Sequence, residues 1–426
     1  MVILDEDNHV LNIRLVKRIG LYQILDPETV KCRGQNVYHI VVALAVLYLC
    51  AVSVMLNVSG VYYWTDNVAI ISVDYFWKAQ TGLFVFYKMW IAVYRSDDVW
   101  NCLSVTRYGF TSFSVRYGHI LYRWRELSVW FTNTLTVMYL TSLAFFLCSS
   151  LAFRKDVLPV KNHDGSVGYY RQNILNLYLI VSDETYNAHY YAFYFVESFS
   201  VVLLTILFLV FDILLVTLCF ALCCQMQMIC SAFESVGYES PSGPNSSVDC
   251  MDENNKVSID YDLIYYDELK TIIMDHQAVM KKFEELLTLF QRVMLSQFVI
   301  SSMSLIIIWF FFILNLFGDD RLVTSDVTTI KMVSLIPSFT FQIYMACYLF
   351  ANLHSQKDSV IFALYSSNWT EMNMKCKKLI LLTMQMNNVY YKKFRFTKKK
   401  VVNLDMFLKT LRNCYTVVSV LINCLK

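Results

Sequence analysis

Turn residues and charge are both scarce in this sequence. Its 426 residues include 11 Gly and 5 Pro; only 16% are Asp, Glu, Lys or Arg, while 57% are hydrophobic and the mean hydropathy is +0.44. A soluble domain carries more charge and more turn residues than this. The composition predicts an all-α membrane protein that crosses the bilayer several times. Catalytic signatures are missing too. There is no paired-His motif at ligand spacing, no Gly-rich phosphate loop and no nucleophile beside a base. An enzyme is not expected, nor a cofactor, a metal or a nucleic-acid partner. Residues Met1–Asn36 are polar and mixed in charge, without an early apolar core, so no secretory leader is expected and the first apolar span acts as its own insertion signal.

Disulfides are a further expected absence. Of the 13 Cys, Cys32, Cys102, Cys223, Cys224, Cys230, Cys250 and Cys376 fall in or near segments assigned to the cytosol, and the rest lie in apolar spans. Reduced thiols follow. The group Cys219, Cys223, Cys224 and Cys230 is read as buried or juxtamembrane free thiols rather than a metal or palmitate site. The sequons at Asn57, Asn245 and Asn368 lie too near the membrane or on the cytosolic side, so no glycan is expected.

Long apolar runs are what the chain has in quantity. Seven are near the length that spans hydrocarbon, at 37–60, 68–93, 128–153, 193–222, 295–317, 331–351 and 403–424. Basic residues set the orientation. With the N-terminus inside, the outer loops hold only Arg154, Lys155, Lys161, Arg171, Arg321, Lys331 and Lys426, and the inner segments hold the remaining loop cations, including KKFRFTKKK at 392–400. The N-terminus is therefore cytosolic and the C-terminus extracellular. G-protein-coupled receptors have the opposite orientation, and their Asp-Arg-Tyr and Asn-Pro-x-x-Tyr marks are absent. The expected organisation is a cytosolic segment 1–36, membrane helices one to four in 37–222, a cytosolic loop and long helix in 223–294, helices five and six in 295–351, cytosolic helices in 352–402 and helix seven in 403–426.

Three stretches carry functional readings. Leu269, His276, Phe283 and Phe290 recur at seven, with Leu286 and other apolar residues between them. This heptad seam needs a helical partner and, with Tyr365 and Trp369 on a second cytosolic segment, suggests a packed intracellular platform. His276 reads as a satisfied core residue. The outward halves of spans two, three, four and six gather Ile71, Asp74, Tyr75 and Phe76; Tyr139, Ser142, Phe145 and Phe146; Tyr194, Glu197, Ser198 and Val201; and Ile336, Phe339 and Thr340. Aromatic walls with a few polar groups suit a small apolar ligand; an interfacial aromatic belt gives a similar enrichment without a pocket. The loop 154–192 is long enough to roof such a pocket. In the last span Asp405, Lys409, Arg412, Thr416, Ser419 and Asn423 recur at steps of four and three, on one helical face. Two readings stand: the seam lines a pore, or it packs against sister helices.

The passage LKTIIMDHQAVMKKFEELLTLFQRVMLSQFVISS, the run from Gln342 through Cys347, Ser359, Ala363 and Tyr365 to Trp369, and the C-terminal LDMFLKTLRNCYTVVSVLINCLK with Tyr415 resemble the insect odorant receptor family. Lys88 fits as well. The likeness runs from about residue 37 to the end and is most specific in the final third. Cys414 stands where Ser or Thr is commoner, and the Gly usual before the last span is absent around Lys393–Phe394. The resemblance implies a ligand-gated, non-selective cation channel, a heterotetramer with the odorant co-receptor in the plasma membrane and in contact with its lipids. No co-receptor-like insertion is present, so a ligand-tuning subunit is implied. It further implies subunit anchoring through His276, Phe283, Leu286, Tyr365, Trp369 and Tyr415. An odorant pocket between spans two, three, four and six is implied too. Counted from Tyr415, the narrow point falls at Val418, with Leu421 and Ile422 beyond it; the polar seam would instead aim Ser419 and its neighbours at the path. A gustatory-type channel, a metabotropic receptor or a pore-less scaffold are the alternatives.

Overall fold

A computed structural model describes residues 13–26, 29–32, 35–65, 69–161, 166–178, 181–238, 261–317, 326–389 and 402–425. Helices dominate. Two short helices, α1 (Ile13–Arg18) and α2 (Leu21–Leu25), precede α3 (Val37–Thr65) and α4 (Ala69–Tyr94); α5 (Ser96–Leu103) leads to α6 (Gly118–Ala152). After α7 (Asp183–Ala188) come α8 (Tyr190–Ser235), α9 (Tyr261–Phe317), α10 (Asp326–Ser366), α11 (Met374–Val389) and α12 (Leu404–Leu425). The all-α expectation needs one amendment. Among the described residues two small antiparallel hairpins occur, β1 (Lys31–Cys32) with β2 (Gln35–Asn36) and β3 (Val157–Lys161) with β4 (Val167–Arg171).

Among the described residues, five stretches are both long and apolar enough to cross a membrane: Val37–Tyr62, Gly118–Ala152, Tyr190–Ser235, Leu263–Ile313 and Ile330–Ser366. By the helical rise, the 26 residues of α4 and the 22 of α12 reach about 39 and 33 Å, enough to match the roughly 30 Å of hydrocarbon. Their polar residues set them apart. In α4 these are Asp74, Lys78 and Lys88, paired inside the bundle; in α12 they gather on one side, making it the most amphipathic of the span-length helices.

Burial explains the sequence pattern. Helix α8 is apolar on every side over 207–233 apart from a few polar residues such as Asp212 and Gln225, and almost all of it is buried, as a central helix must be. Helices α6, α9 and α10 pack around it, and α12 lies on α9 and α10. Helix α9 holds no Gly or Pro and runs unbroken for 57 residues, about 86 Å. Its C-terminal part packs with Met332 of α10 and Trp77 of α4, at the end of the bundle where the chain between β4 and α7 meets α10. The rest extends to the opposite end, here the platform end.

At the platform end the heptad seam is buried within the chain, although His276, expected to be a satisfied core residue, leaves its Nε2 without a hydrogen bond. Leu269, Ile272, Val279, Phe283, Leu286, Phe290 and Val293 are buried. The ring of Phe283 faces His354 of α10 at 6.4 Å, and His276 meets Phe233 of α8 at 6.3 Å. The helical partner the seam demanded is thus this chain's own α8 and α10. Gln225 of α8 pins the segment after α5, donating to the carbonyls of Val105 (3.0 Å) and Arg107 (3.1 Å) and accepting from Thr111 (2.9 Å). Cys219, Cys223, Cys224 and Cys230 are buried free thiols in α8.

Candidate functional site

Near the hairpin end, four helices diverge around a cavity of about 140 Å³. Trp77, Lys78 and Thr81 reach it from α4, and Tyr139, Ser142, Leu143 and Phe146 from α6. Helix α8 contributes Val201, Leu204, Thr205 and Phe208, and α10 contributes Leu335, Ser338, Phe339 and Gln342. An apolar cavity of similar size, engineered into a soluble protein, accepts benzene, so this one suits a ligand of about six to eight heavy atoms. Trp77 and Phe339 stand side by side, ring centres 6.3 Å apart, and the Trp77 indole donates to Ser304 Oγ of α9 at 2.8 Å.

The floor is a buried polar network. Asp212 of α8 accepts from Lys88 Nζ at 2.7 Å, with both side chains fully buried, and from Tyr139 Oη at 2.7 Å. Gln342 Nε2 donates to Asp212 at 3.1 Å and also to Tyr139; Gln297 Nε2 donates at 3.3 Å. Ser301 of α9 donates to Gln342 Oε1 at 3.0 Å. The ammonium of Lys88 lies 4.4 to 5.2 Å from the ring centres of Phe208, Phe211 and Phe84, a favourable cation–π setting. Two lining residues, Tyr139 and Gln342, therefore belong both to the cavity and to the network that ties α4, α6, α8, α9 and α10 together.

The roof comes from the 154–192 loop, through Leu175. Glu197, fully buried on α8, accepts the backbone N–H groups of Leu175 (2.6 Å), Asn176 (3.2 Å) and Leu177 (2.8 Å). Tyr75 Oη donates to the Asn176 carbonyl, Lys331 to that of Asn173 and Lys78 to that of Leu175. Asn176 holds a left-handed φ of 59°, tolerable for Asn in a tight turn. Above it, Tyr170, Tyr178 and Tyr186 form an aromatic cluster at 4.4 to 5.8 Å, where burial pushes the Tyr170 and Tyr186 hydroxyls above the usual phenol range.

The expected ligand residues divide accordingly. Tyr139, Ser142, Phe146, Val201 and Phe339 line the cavity. Tyr75 and Glu197 hold the roof, Asp74 pairs with Lys78 at 2.5 Å, and Tyr194 bonds to the Leu147 carbonyl at 3.3 Å. Ser198, Ile336 and Thr340 are half-buried outside the lining. Phe76 lies against α3, its ring 3.1 Å from where a side chain on Gly60 would begin, so that glycine permits the close approach. Phe145 turns away, exposed in a separate outer groove between α6 and α10. The side chain of Ile71 lies outside the described residues. Trp77, which stands in the same aromatic run as Tyr75 and Phe76, lines the cavity as well; missed from the sequence were Lys78, Ser338, Gln342 and Asp212. Lys78, Lys88 and Asp212 carried a usable signal, since charges within apolar spans are costly and kept for a reason.

On α12 the chain's own helices cover Phe407, Leu411, Cys414 and Val418; Val418 is only 4% exposed. Helical geometry places Asp405, Lys409, Arg412, Thr416 and Asn423 roughly 150° away from that stripe, and all five are exposed. Val418, expected at the narrow point, is thus covered by its own subunit, whereas the polar seam is open. Ser419 is half-buried at the margin, and the side chains of Leu421 and Ile422 lie outside the described residues. Among the expected anchors, His276, Phe283 and Leu286 are buried within the subunit, whereas Tyr365 and Tyr415 are 69% and 75% exposed. Trp369 meets Tyr365 at 6.3 Å.

A family model described as 7tm Odorant receptor matches residues 80–415. No curated protein matches the chain. Among solved structures, the insect olfactory receptor OR5 from Machilis hrabei in complex with eugenol shares the fold, with a TM-score of 0.68 at 14% identity over 97% of this chain and 98% of that one. A second structure of the same receptor gives 0.68 at 12% identity over 96% and 97%. The matched segment runs from the middle of α4 to the middle of α12 and takes in the floor and most of the cavity lining, beginning just after Trp77 and Lys78. The chain belongs to the insect odorant receptor family, which consists of ligand-gated channels and not enzymes.

Proposed function

We propose that this chain is the ligand-tuning subunit of a heteromeric, odorant-gated, non-selective cation channel, built with an odorant co-receptor in the plasma membrane. The cavity between α4, α6, α8 and α10 carries the reading. It is apolar on its walls, its size suits a small volatile, and two of its lining residues belong to a network that reaches α9. The residue after Ser301 takes the connection further: the Ser302 carbonyl lies 3.8 Å from Cys414 Sγ of α12. A ligand that moves Tyr139 or Gln342 thus acts on the helix against which α12 rests. The Machilis hrabei receptor, of like fold, is described with eugenol bound, which supports a small volatile here.

In this reading α12 supplies the pore. Its polar seam faces away from its own subunit, and lipid is an unfavourable environment for Lys409 and Arg412, which leaves an aqueous path bounded by sister subunits. Seven helices cross the membrane, with the platform end cytosolic, as the distribution of basic residues requires. Tyr365, Tyr415 and the exposed apolar residues Phe362, Leu381 and Leu382 supply contacts to neighbouring subunits. The test is co-expression with the co-receptor, screening small volatile esters, alcohols and terpenoids in excised patches without nucleotide. Inward current on application is expected; a response that requires cytosolic nucleotide overturns the channel reading.

A further inference from the structure

Lys78 is the one charged side chain among the described residues lining the cavity. An ammonium has three N–H donors. One goes to Asp74 Oδ2 at 2.5 Å and a second to the Leu175 carbonyl at 3.3 Å. Asp74 accepts only through Oδ2; its Oδ1 makes no hydrogen bond. The side chain is only 11% exposed, so bulk water is a poor partner for the remaining donor, and the Tyr75 ring, its centre 5.9 Å from Nζ, offers a cation–π contact but no hydrogen-bond acceptor of carbonyl strength. The other polar groups of the lining are committed: Tyr139 and Gln342 to the floor, Thr81 and Thr205 to their own helix, and Ser142 and Ser338 to each other at 2.7 Å.

The geometry points to Lys78 as the residue that selects ligands by function, with its third N–H donating to the carbonyl oxygen of a small neutral ketone, aldehyde or ester. This rests on the cavity being the odorant site and adds the chemical class. A carboxylate is disfavoured because Asp74 already pairs the ammonium, and a second anion would lose its hydration in an apolar chamber. A protonated amine is disfavoured because it would meet the ammonium itself. A hydrocarbon of the same shape would fill the space and leave the donor unpaired, the kind of difference that sites built around a hydrogen bond discriminate well.

The test compares isosteric pairs in the complex with the co-receptor: cyclohexanone against methylenecyclohexane and 2-hexanone against 2-methyl-1-hexene, with hexylamine and hexanoate as charged probes. Each ketone is expected to activate at about tenfold lower concentration than its alkene, or lower still. In Lys78→Met that ratio should fall to within about twofold, chiefly through weaker ketone potency. Because the single variant strands Asp74, Lys78→Met/Asp74→Asn keeps the site neutral and should show the same collapsed ratio at normal surface level. A lysine that served only to hold the roof would lower surface level and leave the ratio intact. Equal wild-type potency within each pair, silence to the whole panel, or higher potency for hexylamine or hexanoate overturns the proposal. Phe339→Ala separates the layers. If it weakens every probe while Lys78→Met leaves the ratio untouched, the assignment of Lys78 falls and the cavity stands. If Phe339→Ala changes nothing, the cavity reading falls as well.

Discussion

Replacing Asp212 by Asn removes one charge from the floor and keeps the shape. Four donors converge on that carboxylate, from Lys88, Tyr139, Gln342 and Gln297, and neither member of the Lys88–Asp212 pair is exposed. Asn accepts through only one oxygen and cannot balance the ammonium. The three rings around Lys88 offset part of the loss, about 0.5–2 kcal/mol at such sites. Breaking a buried ion pair costs about 3–5 kcal/mol, a large share of the roughly 5–15 kcal/mol by which a typical domain is stable. That corresponds to roughly two to four orders of magnitude in the folded ratio. Asp212→Asn should therefore reach the surface poorly and lose its monodisperse peak at a lower temperature after detergent extraction. Lys88→Met/Asp212→Asn removes both charges and should recover most of the deficit, leaving about 1–2 kcal/mol for the orphaned donors of Tyr139 and Gln342. Adding Lys88→Met alone completes a double-mutant cycle with the wild type. Wild-type thermal stability in Asp212→Asn, or a double variant no better than the single, would refute the reasoning.

Trp77→Ala and Phe339→Ala should each weaken odorant potency by roughly 1–3 kcal/mol, about 5- to 150-fold, whereas Phe145→Ala in the outer groove should leave dose–response curves unchanged; loss of potency in Phe145→Ala would move the site to that groove. Phe283→Asp buries an unpaired charge inside the subunit and should fail to fold even with excess co-receptor, while Tyr365→Ala should fold and co-purify less co-receptor; rescue of Phe283→Asp by the co-receptor would return that residue to the interface. Thr416→Cys should be modified by a charged thiol reagent when odorant is present and Val418→Cys should not, with current as the readout; the reverse pattern would restore Val418 as the narrow point. Native Cys102 should stay silent in that assay, since burial, with Glu285 adding to it, pushes its thiol up to about 12.

Much of the fold was legible because its signals are local. Apolar runs of span length, the unbroken stretch from Tyr261 to Phe317 and the heptads of α9 can all be counted along one dimension. The cavity was legible in part for the same reason: aromatic residues cluster in the four segments that line it. The choice among them was not. Phe145 and Phe146 are adjacent in sequence and differ by one helical step, which sends one to the outer groove and the other to the cavity. Asp212 is one acid in an apolar run; its partner Lys88 is 124 residues away, and only packing reveals the pair. The roof was foreseeable from loop length, yet its latch depends on three consecutive N–H groups converging on Glu197, a backbone geometry that no residue pattern announces.

The last helix shows where one-dimensional reading reaches its bound. Periodicity identified a polar face from Asp405 to Asn423, and that face is real in three dimensions. Whether it lined a pore or packed inward depended on which side α9 and α10 would cover. They cover the opposite side, through Phe407, Leu411, Cys414 and Val418. Packing within the subunit is thereby removed as an explanation for the seam, and lipid is removed by Lys409 and Arg412, since charge facing hydrocarbon is unfavourable. What remains is the reading proposed above, a surface completed by other subunits with water between them, which the Thr416→Cys and Val418→Cys pair tests. The same logic accounts for the anchors. A buried apolar residue such as Phe283 has found its partner already, so its heptad spacing says nothing about assembly. Exposed Tyr365 and Tyr415 have large apolar area still to bury, and it is these unpartnered residues that an assembly interface would use.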